Sequence, residues 1–267
     1  MDATVNDILN AIESIAPATL AEEWDNIGLQ VGHRQWPVKR VLTALDPTPE
    51  VIREVRNRKA EVLVTHHPLI FSPLRALDLD TPLGGILHEL LRHNIAVISA
   101  HTNLDSTQGG VNDILASFLA VDRLTVLQPV QDDLHCGLGR IGNLPARTTL
   151  ADLAAEIKSR MAIPHIRFAG DPQLPVVRVA LCSGSGSGLL KTFLASDAQL
   201  YITGDVRYHE AREVEAHGRG VIDIGHYESE HILLEPFSKQ LADHMSAGGL
   251  DILVEACLCE QAPFITL

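Results

Sequence analysis

Long apolar runs are missing from this sequence. None approaches the roughly 18 residues that a membrane span needs, so a bilayer protein is not expected. The opening stretch, MDATVND, is acidic and lacks the cationic-then-apolar order of a secretory signal. Cysteine is scarce too: four in 267 residues, with no dense short spacing, suit a reduced, cytoplasmic setting rather than a disulfide scaffold. Positive charge is in deficit, with 21 Lys and Arg against 34 Asp and Glu and a formal net charge of -13. Nucleic-acid phosphates are neutralised by clustered Lys and Arg, so a broad nucleic-acid surface is not expected. A small anionic substrate stays open, because one bound cation reverses the potential of a single pocket.

Histidine, by contrast, is abundant, with 13 in a chain that is 46% hydrophobic and 21% charged. That composition is ordinary for a soluble globular protein, and the length suits one large domain or two small lobes.

Val5, Ile8, Leu9, Ile12 and Ile15 recur at helical spacing, and Pro17 ends the segment. EEWDNIGLQVG leads to a short strand bounded by glycines. Strands and helices then alternate through RVLTALD, PEVIREVRNR, EVLVTHH, a helix near 83–93, IAVISAHTNLD and GVNDILASFLA. Such strand-to-helix units predict an α/β sheet with substantial parallel pairing. Near 128 the pattern turns polar and Gly/Pro-rich, in QPVQDDLHCGLGRIGNLPAR, and a lobe boundary is placed there. A second alternating series runs through LADLAAEIKSRM, VVRVALC, GLLKTFLAS, AQLYITGD, YHEAREVEAHG and GVIDIG. YESEHILLEPFSKQLADHM closes as a helix that Pro236 should kink or divide. The expected fold is α/β in two lobes. Residues 1–128 plus 226–267 form lobe one, which carries most of the metal ligands, and 129–225 form lobe two.

THHPLIF, residues 65–71, places two adjacent imidazoles where an apolar strand ends. Neighbouring side chains in a strand point to opposite faces, so His66 and His67 address two different centres more readily than one. Pro68 then fixes the exit and biases His67 toward an extended conformation. The competing reading is a hydrogen-bonded pair of surface or core histidines. The next strand ends in SAHTNLD, with His101 and Asp105 just past its C-terminus, where open α/β sheets gather ligands. A third strand runs into DIGHYESE, where His226 and Glu230, four apart, share one helix face. Here an exposed His–Glu contact is the bland alternative. Together His66, His67, Asp105, His226 and Glu230 supply three imidazoles and two carboxylates, enough for a two-metal site with open positions for water. This mixed ligation suits zinc, iron, manganese or nickel.

With WDNIGLQVG, THHPLIF, HTNLD, TGD followed by a histidine, and GHYESE in this order, the chain resembles the Nif-three-like dinuclear metal-centre family. Its bacterial members are often called GTP cyclohydrolase I type 2 homologues. The resemblance runs from Glu22 to the C-terminal helix. It implies that His66 and His67 each bind one metal, that Asp105 and His226 bind on opposite sides, and that Glu230 bridges. It ranks His101 as a support or weak ligand. It also implies two α/β lobes facing each other across a dinuclear metal site, a ring-shaped homohexamer, and the compact version without an inserted domain. The chain departs from the family at TGD, residues 203–205, where Glu is frequent and the shorter Asp205 stands.

Asp25 and Asn26, in EEWDN, and Asp205 are candidate supports for ligating imidazoles; the first two are also ordinary turn formers. His209 is either a general acid or a helix-face histidine. CSGSGSG, residues 182–188, matches no phosphate-loop pattern and reads as a tight turn. Cys257 and Cys259 sit two apart in an expected strand and read as core packing rather than a soft-metal pair.

The expected function is a dinuclear metal-dependent hydrolase, with GTP cyclohydrolase as the specific candidate implied by the resemblance: GTP to formate and dihydroneopterin triphosphate. Glu230 and His209 are its expected catalytic residues and two divalent ions its cofactors. Nothing in the residues selects guanine, so a metal-dependent phosphatase or amidohydrolase fits as well, and a metal-binding scaffold is the alternative of another class. The expected partner is a small molecule, with a nucleotide among the candidates.

Overall fold

The computed structural model describes residues 3–130 and 133–265, which divide into two units. One comprises 3–104 and 234–261, the other 105–233 and 262–265. Both are α/β, as expected, and no helix among the described residues is long and apolar enough to cross a membrane.

In the first unit, strands Arg40–Ala44, Val62–Thr65 and Ala96–Ser99 pair in parallel. Leu253–Ala256 extends the sheet in parallel on one edge, and Gly28–Val31 closes the other edge antiparallel. Val62–Thr65 and Ala96–Ser99 are buried at every position, which is why they read as continuous apolar runs and not as alternations. Helices Pro49–Asn57 and Pro82–Arg92 start by the same device. Thr48 and Thr81 accept hydrogen bonds from the backbone N–H of Val51 and Gly84. A proline takes the first position, where an N–H would go unpaired anyway. Their apolar stripes, including Val51, Val55, Leu87 and Leu90, pack with Leu42, Leu63 and Val97 into one core.

Register decides where the functional groups emerge. Ala44 lies opposite Thr65, and Thr65 opposite Ser99, so the three parallel strands end level. The chain leaving them stays pinned: His66 N–H donates to Ala44 O at 3.1 Å, His67 N–H to Leu45 O at 3.0 Å and Ala100 N–H to Thr65 O at 2.9 Å. Residues 45–46, 66–67 and 100–101 therefore leave the sheet along one C-terminal edge, the place where open α/β sheets bind ligands.

The second unit is a mixed six-stranded sheet in the order Asp122–Val130, Asp133–Thr149, Pro175–Ser185, Leu200–Gly204, Gly220–Asp223, Arg167–Ala169. Pro175–Ser185, Leu200–Gly204 and Gly220–Asp223 run parallel, and the remaining pairings are antiparallel. Along the Pro175–Ser185 strand, Val179 and Leu181 enter one core while Ala180 and Cys182 enter another, so both faces are covered.

The boundary differs from the one placed near 128. Residues 105–128 belong with the second unit, because helix Val111–Phe118 contributes Leu115 and Ala116 to its core and strand Asp122–Val130 pairs with Asp133–Thr149. The stretch around 128–147, read as a boundary, lies mostly within two long strands. Its glycines answer to close backbone approach: at Gly137 (φ +141°) a Cβ would stand 2.2 Å from Gln128 O. The segment 226–233 also belongs to the second unit. The terminal helix is indeed divided, into His226–His231 and Leu234–Ala247, with Pro236 in the first turn of the latter, where its missing N–H costs no bond. The strand expected to hold both cysteines ends at Ala256, before them.

Arg140 ties the second unit together from within. It is 2% exposed, and its guanidinium donates to Asp113 at 2.7 and 3.0 Å and to the carbonyls of Gly137, Gly139 and Thr107 at 2.8–2.9 Å. Arg140→Leu removes these five hydrogen bonds, to one carboxylate and three carbonyls, at once. Urea unfolding should show a loss of about 3 kcal/mol, with part of it recovered in Arg140→Leu/Asp113→Leu. An unchanged midpoint in the single variant would contradict this account.

Candidate metal centre

In the first unit the level strand ends deliver three imidazoles to one place. The ring centroids of His66 and His67 are 5.1 Å apart, those of His66 and His101 5.1 Å, and those of His67 and His101 5.5 Å. One ligand atom from each lies within 4.8 Å of those of the other two.

Each ring is oriented through Nδ1. His66 Nδ1 meets Ala100 O at 3.0 Å, His67 Nδ1 meets Asp46 Oδ1 at 2.8 Å, and His101 Nδ1 meets Asp25 Oδ1 at 2.9 Å. A carbonyl or carboxylate oxygen only accepts, so Nδ1 carries the hydrogen in each of these bonds, the tautomer that ligates a metal through Nε2. Metal-ligating histidines are supported in this way, with the second nitrogen held by carboxylate or carbonyl.

The supports are themselves fixed. Burial works to raise the Asp25 carboxyl, but hydrogen bonds from His101 and Thr102 outweigh it and hold it down at about 2. Thr102 donates to Asp25 Oδ2 through both its N–H and its hydroxyl. Behind Asp46, the carboxylate of Glu260 accepts from Leu45 N–H at 2.8 Å and Asp46 N–H at 2.7 Å. Burial pushes the Glu260 carboxyl up from its ordinary value despite those two donors.

The second unit assembles another set. Helix His226–His231 brings His226 Nε2 to 3.1 Å from Glu230 Oε2, while His226 Nδ1 meets Asp205 Oδ2 at 2.7 Å. Glu230 is 4% exposed. It fits only because of Gly184 (φ +58°), where a Cβ would lie 2.1 Å from Glu230 Oε1 and 3.3 Å from His226 Nε2. Ser229 closes this cradle, accepting from Gly184 N–H at 2.8 Å and donating to His226 O at 2.7 Å. Asp105 stands in the same unit, where Ser183 Oγ reaches its Oδ1 at 3.5 Å. The donor chemistry fits a borderline divalent ion: imidazole nitrogens and carboxylate oxygens.

Each candidate from the sequence thus has a place. His66, His67 and His101 come together in the first unit, with Asp25 behind His101. His226, Glu230, Asp205 and Asp105 lie in the second. Asn26 supports no imidazole; its side-chain amide donates to Ile70 O at 2.6 Å and to Gln30 Oε1 at 3.2 Å, tying down the chain that follows His67. His209 is exposed at the start of helix Tyr208–Ala216, its ring edge-on to Tyr208 at 5.3 Å. The sequence reading missed Asp46, Glu260, Gly184 and Ser229. Asp46 carries the same signal as His67 and His101, a polar group just past a strand end. Glu260 carries none, being 215 residues from one of its partners.

Two tests follow from the geometry. Asp46→Ala and Asp205→Ala should each weaken zinc binding roughly 10- to 100-fold, read by competition with a chromogenic chelator, at unchanged circular dichroism. Unweakened binding in both would contradict the Nδ1 supports. Second, the Asp25 carboxyl is depressed from 3.8 to about 2, so its contribution to stability is complete above the unfolded value and is lost as pH falls through the folded one. Wild-type protein should therefore lose stability more steeply than Asp25→Asn between pH 3.8 and 2. Parallel acid profiles would exclude that role.

The chain matches the Duf34/NIF3 (NGG1p interacting factor 3) family over residues 3–263. A Clostridium perfringens protein named GTP cyclohydrolase 1 type 2 homolog is 36% identical over 243 residues, covering 91% of this chain and 93% of its own. A solved structure of a Bacillus cereus protein related to NIF3 superposes with a TM-score of 0.94 at 26% identity over the whole of both chains. A Staphylococcus aureus protein of solved structure gives 0.93 at 30% identity, again over the whole of both. With the family matched across nearly its whole length, the chain belongs to the Duf34/NIF3 family.

Proposed function

We propose that this protein is a metal-dependent hydrolase holding two divalent ions, and that its substrate is GTP, opened at the imidazole ring to formate and dihydroneopterin triphosphate. The observation that carries the metal reading is the convergence of the His66, His67 and His101 rings, each held at Nδ1 by oxygen, as the second nitrogen of a metal-ligating histidine is held. The hydrolase and the nucleotide are supported by the name of relatives such as that of Clostridium perfringens. Divalent ions bound there supply Lewis acidity and an ionised water near neutral pH.

The residues divide the remaining work. His66, His67 and His101 hold ligand nitrogens in fixed tautomers, and Asp105, His226 and Glu230 supply the mixed set of the second unit. Glu230, buried against Gly184, is the carboxylate assigned to take a proton from the attacking water. His209 is assigned to return a proton to the leaving nitrogen. Its exposure at a helix start leaves it open to solvent exchange. We further propose a cytoplasmic homohexamer, in keeping with the family resemblance; the mass in solution decides it, and a monomer would contradict it.

A second reading, a metal-binding interaction protein, is supported by the family description, NGG1p interacting factor 3, and by the exposed apolar side chains Trp24, Phe71, Leu77 and Leu79. One experiment separates the two. Metal-loaded protein is assayed for formate release from GTP, alongside phosphomonoester and amide substrates. Turnover should vanish with EDTA, return with added zinc or manganese, and be abolished by Glu230→Gln. His209→Gln should lower it by about 10²–10⁴. Normal turnover in Glu230→Gln defeats the mechanism. Turnover of another substrate alone replaces GTP, and none with any substrate leaves the interaction reading.

A further inference from the structure

The two cysteines near the C-terminal end of the first unit play no part in ligation, yet they are placed for chemistry of their own. Cys257 Sγ and Cys259 Sγ lie 3.2 Å apart, and both thiols are free. They differ in environment. Cys257 is fully buried, its N–H donating to Thr43 O at 2.8 Å and its side chain packed with the core that holds Leu42 and Leu63. Cys259 is exposed. Glu260 follows directly in the chain, and its carboxylate holds the N–H groups of Leu45 and Asp46. Asp46 in turn orients His67. One short path, entirely within this unit, thus leads from the thiol pair to a proposed metal ligand.

We propose that Cys257 and Cys259 are a redox modification site, closed to an intramolecular disulfide by a low-molecular-weight disulfide such as oxidised glutathione, and that closure weakens metal binding through Glu260 and Asp46. The second half rests on the reading of His67 as a ligand. Burial pushes the Cys257 thiol up to about 12, so the nucleophile is the exposed Cys259. Its thiolate attacks one sulfur of glutathione disulfide; the S–S bond breaks, and one glutathione leaves as thiolate. Cys257, giving up its proton to solvent, then attacks the Cys259 sulfur of the mixed disulfide and expels the second glutathione. The protein loses two hydrogens and two electrons, and glutathione disulfide becomes two glutathiones. A bond of about 2.05 Å in place of a contact of 3.2 Å draws the sulfurs together by about 1 Å. Cys257 is held by the core and by Thr43, so the movement falls on Cys259 and the adjoining Glu260. Losing a support behind a ligating histidine lowers metal affinity about 10- to 100-fold.

The test uses the full chain treated with oxidised glutathione, then freed of excess reagent. The expected result is an intact mass lower by two hydrogens, two of the four thiols no longer reactive to maleimide, and a Cys257–Cys259 link in the peptide map. Cys259→Ser should abolish the link and Cys136→Ser should not. Zinc affinity of the oxidised protein should fall at least about 10-fold and recover with dithiothreitol, while Cys259→Ser binds zinc like reduced wild type whether or not oxidant is added. Absence of the link, or links through Cys136 or Cys182 instead, overturns the redox site. A mapped link with unchanged zinc affinity overturns the coupling. A protein that takes up no zinc in either state contradicts the metal reading and the coupling together, while the mapping still decides the disulfide by itself.

Discussion

The constraint on which the site depends is the oxygen at each Nδ1. An imidazole has two nitrogens and in its neutral form one hydrogen, so whichever nitrogen faces an obligate acceptor carries that hydrogen. At His66 the acceptor is a backbone carbonyl; at His67, His101 and His226 it is a carboxylate. The backbone carbonyl belongs to the neighbouring strand end, so the tautomer of His66 follows from sheet register itself. Those of His67 and His101 follow from side chains that must also be held, and the fold supplies the means: Thr102 grips Asp25, and Glu260 grips the backbone of Asp46. His226 stands between two carboxylates, Asp205 at Nδ1 and Glu230 at Nε2.

Function and stability pull the same residues in different directions. Three imidazoles with centroids 5.1–5.5 Å apart, one of them only 2% exposed, displace apolar area that the core could use. Glu230 at 4% exposure is a buried carboxylate beside a histidine. Such groups persist when neighbours satisfy them, and the surroundings are shaped to do so. Gly184 withholds a side chain where Glu230 must lie, and Asp205, itself at positive φ, presents its carboxylate to His226.

Much of this was legible in the sequence because the relevant signals are local. Apolar runs ending in His, Asp or Asn mark strand ends, and in parallel sheets strand ends are where ligands gather. His66, His67, His101 and the His226–Glu230 pair were all found by that rule. What was not legible falls into two physical kinds. Glycines serve both turns and close backbone contact, so Gly137 and Gly139 suggested a linker where a paired strand runs, and the boundary was set too late in the chain. Contacts between distant segments leave no spacing to read, which hid Glu260 behind Asp46 and Gly184 beneath Glu230. Asn26 shows the converse. Its residue type and position suited an imidazole support, and only the geometry assigns its amide to Ile70 and Gln30.

The family match places the chain among relatives with the same fold, but fold does not carry chemistry by itself. What this chain adds is the protonation pattern of its own histidines, and that pattern is directly observable. Long-range nitrogen–proton correlation spectra of the imidazole rings in metal-free protein report the tautomer of each histidine. The account expects His66, His67 and His101 to carry hydrogen on Nδ1, with Nε2 resonances that shift on addition of zinc. Hydrogen on Nε2 in these rings, or Nε2 resonances that zinc leaves unmoved, would contradict it.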